Sequence, residues 1–240
     1  MNSIHKFKIK IFADGADFDS INNLNQLDYI KGFTTNPSLM KKAGIKDYKE
    51  FAINLLSKIK DKPISFEVFS DDIKEMEDQA EEISSWGKNV NVKIPITNTK
   101  KQSTSELIGK LSAKGIICNV TAIFTLNQVK KVLDVLDIST PTILSIFAGR
   151  IADTGIDPSK IIIEALELSK KKPKTEILWA STREIFNIYQ ANSLGCQIIT
   201  VPHEILKKFS YLDRDLEKFS LETVEGFYKD AVSAGFKIKI

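Results

Sequence analysis

The feature that most limits how this chain can fold is a rhythm. Eight short apolar runs alternate with amphipathic segments along its whole length. Strands are expected at 8–13, 30–34, 64–69, 89–93, 116–119, 142–147, 176–180 and 197–201. Between them apolar residues return at helical spacing, as in Ile73, Met76, Ala80 and Ile83, and again in Val129, Val132, Leu133 and Leu136. Thr125 and Gln128 read as a capping box, with Phe124 and Val129 placed as a hydrophobic staple. Asp157-Pro158 reads as an N-cap followed by a proline at the first helical position. Gly115 and Gly195 stand where helices should stop. Strands that alternate with helices pair in parallel through right-handed crossovers. Eight such units in 240 residues imply one domain over 1–240, a closed (β/α)8 TIM barrel. An open doubly wound sheet is the alternative. A further amphipathic helix is expected at about 220–235, capping the barrel or packing on a neighbouring subunit.

Composition narrows the partners. The net charge is +3 and no basic stripe is concentrated anywhere, so a nucleic-acid partner is not expected. Cys118 and Cys196 are far apart and form no C-x-x-C, which fits a reducing compartment. His5 and His203 are the only imidazoles, so a His-based metal site is not expected. The start lacks the apolar core of a signal peptide. No stretch approaches the roughly 18 apolar residues of a membrane span, so a cytoplasmic location with no membrane partner is expected.

Parallel barrel strands are buried on both faces, so polar residues within them need a reason. Here they gather at the C-terminal ends: Asp14, then Thr34, Thr35 and Asn36, then Glu67, Lys93, Asn119 with Thr121 just beyond, Ser145 and Ser181. In a β/α barrel that end carries the active site.

Lys93 is the sharpest of these. It lies in VNVKIPI, with apolar neighbours on both sides and Pro95 turning the chain two residues on. One reading is a strand-end lysine that snorkels to solvent. The other is an amine in a partly dry pocket, where burial disfavours the ammonium form. A neutral amine attacks a carbonyl to give a Schiff base. Cleaving a carbon–carbon bond through such an iminium needs a base for a hydroxyl proton. Asp14 and Glu67 would share the cavity and supply carboxylates. Asp14 is read equally well as an N-cap or an ion-pair partner.

Arginine usage adds a second signal. The chain has three arginines, Arg150, Arg183 and Arg214, against 31 lysines. Two of them follow strands six and seven, near where phosphate sites of such barrels lie. A guanidinium grips phosphate with a fork that lysine lacks. Ser181-Thr-Arg-Glu184 would open the seventh helix, either as an anion site or as a plain capping box. His203 is expected to serve a loop or a cap. Phosphate loops, dinucleotide fingerprints and nucleophile elbows are absent.

Taken together, FADGAD (12–17), TTNPSL (34–39), VKIPIT (92–97), CNVTAIFTLNQ (118–128), SIFAGRIAD (145–153) and ASTR (180–183) resemble the transaldolase family across essentially the full chain. The resemblance implies that Lys93 forms the Schiff base and Asp14 is the general acid/base. Glu67 and Thr121 resemble a pair that holds a catalytic water. Thr35, Asn36, Asn119, Ser145 and Phe147 fall among the substrate-binding positions, and Arg150, Ser181 and Arg183 resemble the phosphate site. No metal and no organic cofactor is implied. The expected partners are phosphosugar substrates. A dihydroxyacetone unit would pass from fructose 6-phosphate or sedoheptulose 7-phosphate to erythrose 4-phosphate or glyceraldehyde 3-phosphate, as in the pentose phosphate pathway. Small members assemble into homo-oligomers, pentamers or decamers. A sister activity, fructose 6-phosphate aldolase, is the alternative. That subfamily looks to carry Gln where this chain has Glu67 and Tyr where it has Phe147, and both choices here favour the transferase. An alternative of another class is a phosphosugar-binding barrel without catalysis. The glycine after Asp14 departs from many relatives, and the short chain resembles the aldolase-containing branch.

Overall fold

A computed structural model describes residues 7–238, which leaves His5 outside it. Eight parallel strands close on themselves in sequence order. They are β1 (Lys10–Asp14), β2 (Ile30–Thr34), β3 (Ile64–Glu67), β4 (Val90–Pro95), β5 (Cys118–Ile123), β6 (Thr142–Ile146), β7 (Thr175–Trp179) and β8 (Ile198–Pro202). The helices that follow β1 to β5 are α1 (Phe18–Asn25), the pair α2 (Pro37–Lys42) and α3 (Tyr48–Lys58), α4 (Ile73–Ser85), α5 (Ser105–Ala113) and α6 (Leu126–Val135). Those after β6 to β8 are α7 (Ala148–Ala152) with α8 (Ser159–Ser169), α9 (Phe186–Ser193), and α10 (His203–Leu206) with α11 (Leu216–Ser233). Five residues of β1 pair with five of β8, Lys10 with Ile198 through Asp14 with Pro202, so the sheet is closed rather than open.

Period-two alternation builds two cores from one set of strands. Outward residues, one per strand, are Ile11, Phe33, Ile64, Val92, Val120, Leu144, Ile177 and Ile199, all packed under the helices. Inward, Phe12, Ile143, Leu178 and Ile198 form a separate apolar cluster within the barrel. Gly32 makes room for it, because a Cβ there would stand 2.6 Å from the Phe12 ring. Two residues further along the same inner face come Asp14, Ser145 and Thr200, with Ala180 still part of the apolar cluster. The barrel therefore has an apolar floor with a polar layer above it.

Several boundaries differ from the sequence reading. β4 continues past Lys93 to Pro95, and β5 runs from Cys118 to Ile123, so Thr121 is within the strand and not beyond it. β3 stops at Glu67: Val68 N still donates to the Lys93 carbonyl, but Phe69 and Ser70 leave the ladder and donate N–H to the Gln79 side chain. The Thr125–Gln128 capping box is present. Pro158 is itself the N-cap of α8, and the Asp157 carboxylate accepts from Ser159 N at 2.9 Å. The capping box at Ser181 does not form; α9 starts only at Phe186. Instead the Asn187 side chain accepts from the amides of Arg183 and Glu184. α11 starts earlier than expected, where Asp215 accepts from Lys218 N. None of its residues is buried, and Leu221, Val224, Phe227 and Tyr228 face solvent. Among the described residues no helix is long and apolar enough to cross a membrane.

Candidate active site

At the C-terminal ends of the strands lies a cavity of about 110 Å³. Nine residues singled out in the sequence line it: Asp14, Thr34, Asn36, Lys93, Thr121, Ser145, Phe147, Arg150 and Ser181. A larger groove of about 570 Å³ runs between α8, α9 and the starts of β7 and β8, at the opposite face, and gathers no comparable set of polar groups.

Lys93 is buried at 7% exposure, so it does not snorkel to solvent. Its position follows from register: Glu67 pairs with Lys93 across β3 and β4, and Lys93 with Asn119 across β4 and β5. Lys93 Nζ stands 2.9 Å from Glu67 Oε2 and donates to the Thr35 carbonyl at 3.1 Å. The amine is thus held by a carboxylate and a carbonyl, not isolated in an apolar pocket. Thr35 contributes through its backbone; its hydroxyl donates away from the cavity, to the Ser65 carbonyl.

Asp14 is free of any capping duty. The N-cap of α1 is Asp17, which accepts from Ser20 N at 2.7 Å. Burial in the barrel raises the Asp14 carboxyl above the usual range, and the Lys93 charge and a hydrogen bond from Thr34 work against that rise. Thr34 Oγ1 donates to Asp14 Oδ1 at 2.7 Å.

On the far wall, Ser145 Oγ donates to Asn119 Oδ1 at 2.6 Å, and Asn119 Nδ2 donates to Ser65 Oγ at 3.0 Å. This chain commits the Ser145 proton to Asn119 and leaves Ser145 as an acceptor toward a ligand hydroxyl. Asn36 Oδ1 caps α2 by accepting from Leu39 N, which leaves its NH₂ for a ligand. Thr121 Oγ1 is buried without a hydrogen bond. A buried orphan hydroxyl costs about 1–3 kcal/mol unless a bound group meets it. The next residue, Ala122, has φ +58°, and the β5–β6 register shifts there. Ser181 has φ +64°. Two strained non-glycine residues at one rim are the pattern of a site shaped for a ligand.

Arg150 is exposed at the cavity mouth with its guanidinium 5.1 Å from the centre of the Phe147 ring. Gly149 sets this corner, since a Cβ there would lie 1.6 Å from the Ser181 carbonyl oxygen. Arg183 is not part of the cavity wall; its guanidinium is engaged with both oxygens of Asp153. Three participants escaped the sequence reading. Ser65 and Thr200 are ordinary strand residues by type, and only inward alternation two places from Glu67 and Ile198 marks them. The third is the contact between His203 and Gly15: a Cβ on Gly15 would meet His203 Cε1 at 2.9 Å, so this glycine accommodates the imidazole. His203 caps nothing through its side chain.

A parallel (β/α)8 barrel that gathers a buried lysine, two carboxylates and an arginine at the C-terminal ends of its strands has the form of a β/α-barrel enzyme site. Residues 11–238 match the transaldolase/fructose-6-phosphate aldolase family, and the chain belongs to it. A protein named "Probable transaldolase" from Thermoanaerobacter sp. (strain X514) is 36% identical over 234 residues, 96% of this chain and 100% of its own. Another of that name, from Nitrosopumilus maritimus (strain SCM1), is 35% identical over 92% of this chain and 94% of its own. A crystal structure from Burkholderia cenocepacia J2315, named as a candidate lyase/mutase, superposes with TM-score 0.59 at 10% identity over 98% of this chain and 87% of its own, a likeness of fold.

Proposed function

We propose that this enzyme is a transaldolase working through a Schiff base on Lys93. The observation that carries the reading is the placement of Lys93 Nζ beside Glu67 in a cavity that also holds Asp14. Lys93 passes its ammonium proton to Glu67, the amine so freed attacks the C2 carbonyl of a ketose phosphate, and loss of water gives an iminium. Asp14 takes the proton of the C4 hydroxyl as the C3–C4 bond breaks. The bonding pair moves onto C3 and is held as an enamine, and an aldose phosphate leaves. The enamine then attacks the aldehyde of an acceptor, Asp14 returns the proton, and water releases the new ketose. Glu67 and Thr121 hold the water that takes part in forming and hydrolysing the iminium. Asn36, Asn119 and Ser145 bind the three-carbon unit, and Arg150 with Ser181 receives the phosphate. Glu67 and Phe147 favour transfer over simple release, since phenylalanine offers no proton to the enamine.

The test is a coupled NADH assay of glyceraldehyde 3-phosphate release from fructose 6-phosphate, with and without erythrose 4-phosphate. Release that requires the acceptor establishes the transferase. Equal release without it makes the enzyme an aldolase, and no release overturns both.

We further propose that α11 packs on a second copy of the chain. What supports this is its lack of any buried residue together with exposed Phe227 at 70% and Tyr228 at 71%. Removal of residues 216–238 should convert the oligomer to monomers in sedimentation; an unchanged mass would refute it.

A further inference from the structure

The strand that closes the barrel brings a hydroxyl against Asp14 at second hand. Thr200 of β8 lines the cavity, and its Oγ1 stands 2.5 Å from Thr34 Oγ1. Thr34 Oγ1 in turn bonds Asp14 Oδ1 at 2.7 Å. Each hydroxyl has a single proton. When Asp14 is a carboxylate, Thr34 gives its proton to Oδ1, so Thr34 must accept from Thr200. When Asp14 is protonated, both bonds can reverse, with Asp14 donating to Thr34 and Thr34 to Thr200. Threonine serves both states because its oxygen accepts as readily as it donates; the Thr200 hydroxyl, which lies at the cavity, completes the chain in either direction. Bonds in such a chain polarise one another.

We propose that Thr200 is a positioning residue: through Thr34 it holds Oδ1 of Asp14 in both protonation states and leaves Oδ2 as the oxygen that exchanges protons with substrate. The consequence for catalysis rests on the reading of Asp14 as general acid/base; the hydrogen-bond chain does not. Lys93 from β4, Glu67 from β3 and His203 from α10 also bear electrostatically on Asp14, and the substitutions below leave all three in place.

The test reads the carboxyl directly. Infrared titration of the full chain follows the protonated Asp14 band, assigned by its loss in Asp14→Asn. Thr200→Val keeps the shape of the side chain but removes both the donor that backs the carboxylate and the acceptor that backs the neutral carboxyl; the chain that ends on a charge is the stronger, so the carboxylate loses more. The titration midpoint should rise by about half a pH unit to one unit. Thr200→Ser should restore the wild-type midpoint. In a Thr34→Val background Thr200→Val should shift nothing more, because the chain is already broken. The acid limb of kcat/KM should move up with the midpoint, lowering kcat/KM about three- to tenfold at a pH below that limb. A midpoint unchanged in Thr200→Val, or the same shift in the Thr34→Val background, would overturn the proposal. A midpoint that moves while the acid limb stays would support the hydrogen-bond chain and refute Asp14 as the base.

Discussion

Lys93 Nζ and Glu67 Oε2 stand 2.9 Å apart at paired positions of adjacent strands, both largely shielded from solvent. Two opposite charges in one wall depend on each other. Taking one away leaves the other buried without its partner. Lys93→Met should therefore destabilise the fold by about 3 kcal/mol, and Glu67→Gln in the same chain should recover most of it. Urea unfolding of the two single variants and the double variant checks this; additive losses would contradict it.

Asp14 carries a cost of the opposite sign. Its folded pKa is raised above 3.8 by burial, so the folded chain binds this proton more tightly than the unfolded chain does. That contribution to stability is complete below about pH 3.8 and is lost as the pH rises through the folded value. At neutral pH the charged carboxylate is thus a burden, and Asp14→Asn should raise the Tm. The gain should shrink as the pH falls toward that of the unfolded carboxyl. Turnover should be lost in the same variant. Calorimetry across pH checks the sign, and a gain that grows toward acid would be the wrong one.

The two arginines near the rim should behave differently. Arg150 is at the cavity mouth, whereas Arg183 is occupied by Asp153. Arg150→Lys keeps the charge but loses the fork and the stacking on Phe147. It should raise KM for phosphosugars by roughly tenfold or more, with a smaller loss of kcat. Unphosphorylated dihydroxyacetone as donor should be indifferent to the change. Arg183→Lys should have the weaker effect on KM. Steady-state kinetics with phosphorylated and unphosphorylated donors separates the cases.

Gly149 tests the corner that presents Arg150 and Ser181. With a Cβ placed 1.6 Å from the Ser181 carbonyl, Gly149→Ala must push α7 from the end of β7. The expected cost is roughly 2–4 kcal/mol of stability, and KM should rise with it. A variant as stable and as active as wild type would show that the two segments are not pressed together.

How much of this was legible in the sequence follows from what pattern can carry. Alternation and caps such as Thr125–Gln128 are local, so all eight strands could be placed to within a few residues. Lys93, Glu67 and Asp14 stood out because a charge in an apolar run is rare. Thr200 and Ser65 did not, because serine and threonine are unremarkable in strands and only register shows what they face. The capping box at Ser181 failed for a non-local reason. Gly149 brings α7 against the Ser181 carbonyl, and the turn takes a left-handed residue where a helix start was expected. Arg183 was placed correctly beside the rim, but its partner Asp153 is 30 residues away and invisible to local spacing.

The central claim is the covalent bond to Lys93, and one measurement meets it directly. The protein is incubated with fructose 6-phosphate, reduced with borohydride, digested and mapped by mass spectrometry. The account predicts a dihydroxyacetone-derived increment on the peptide that contains Lys93, absent without substrate and absent in Lys93→Met. An unmodified Lys93 peptide from enzyme that is turning over, or the same increment on a different lysine, would contradict it.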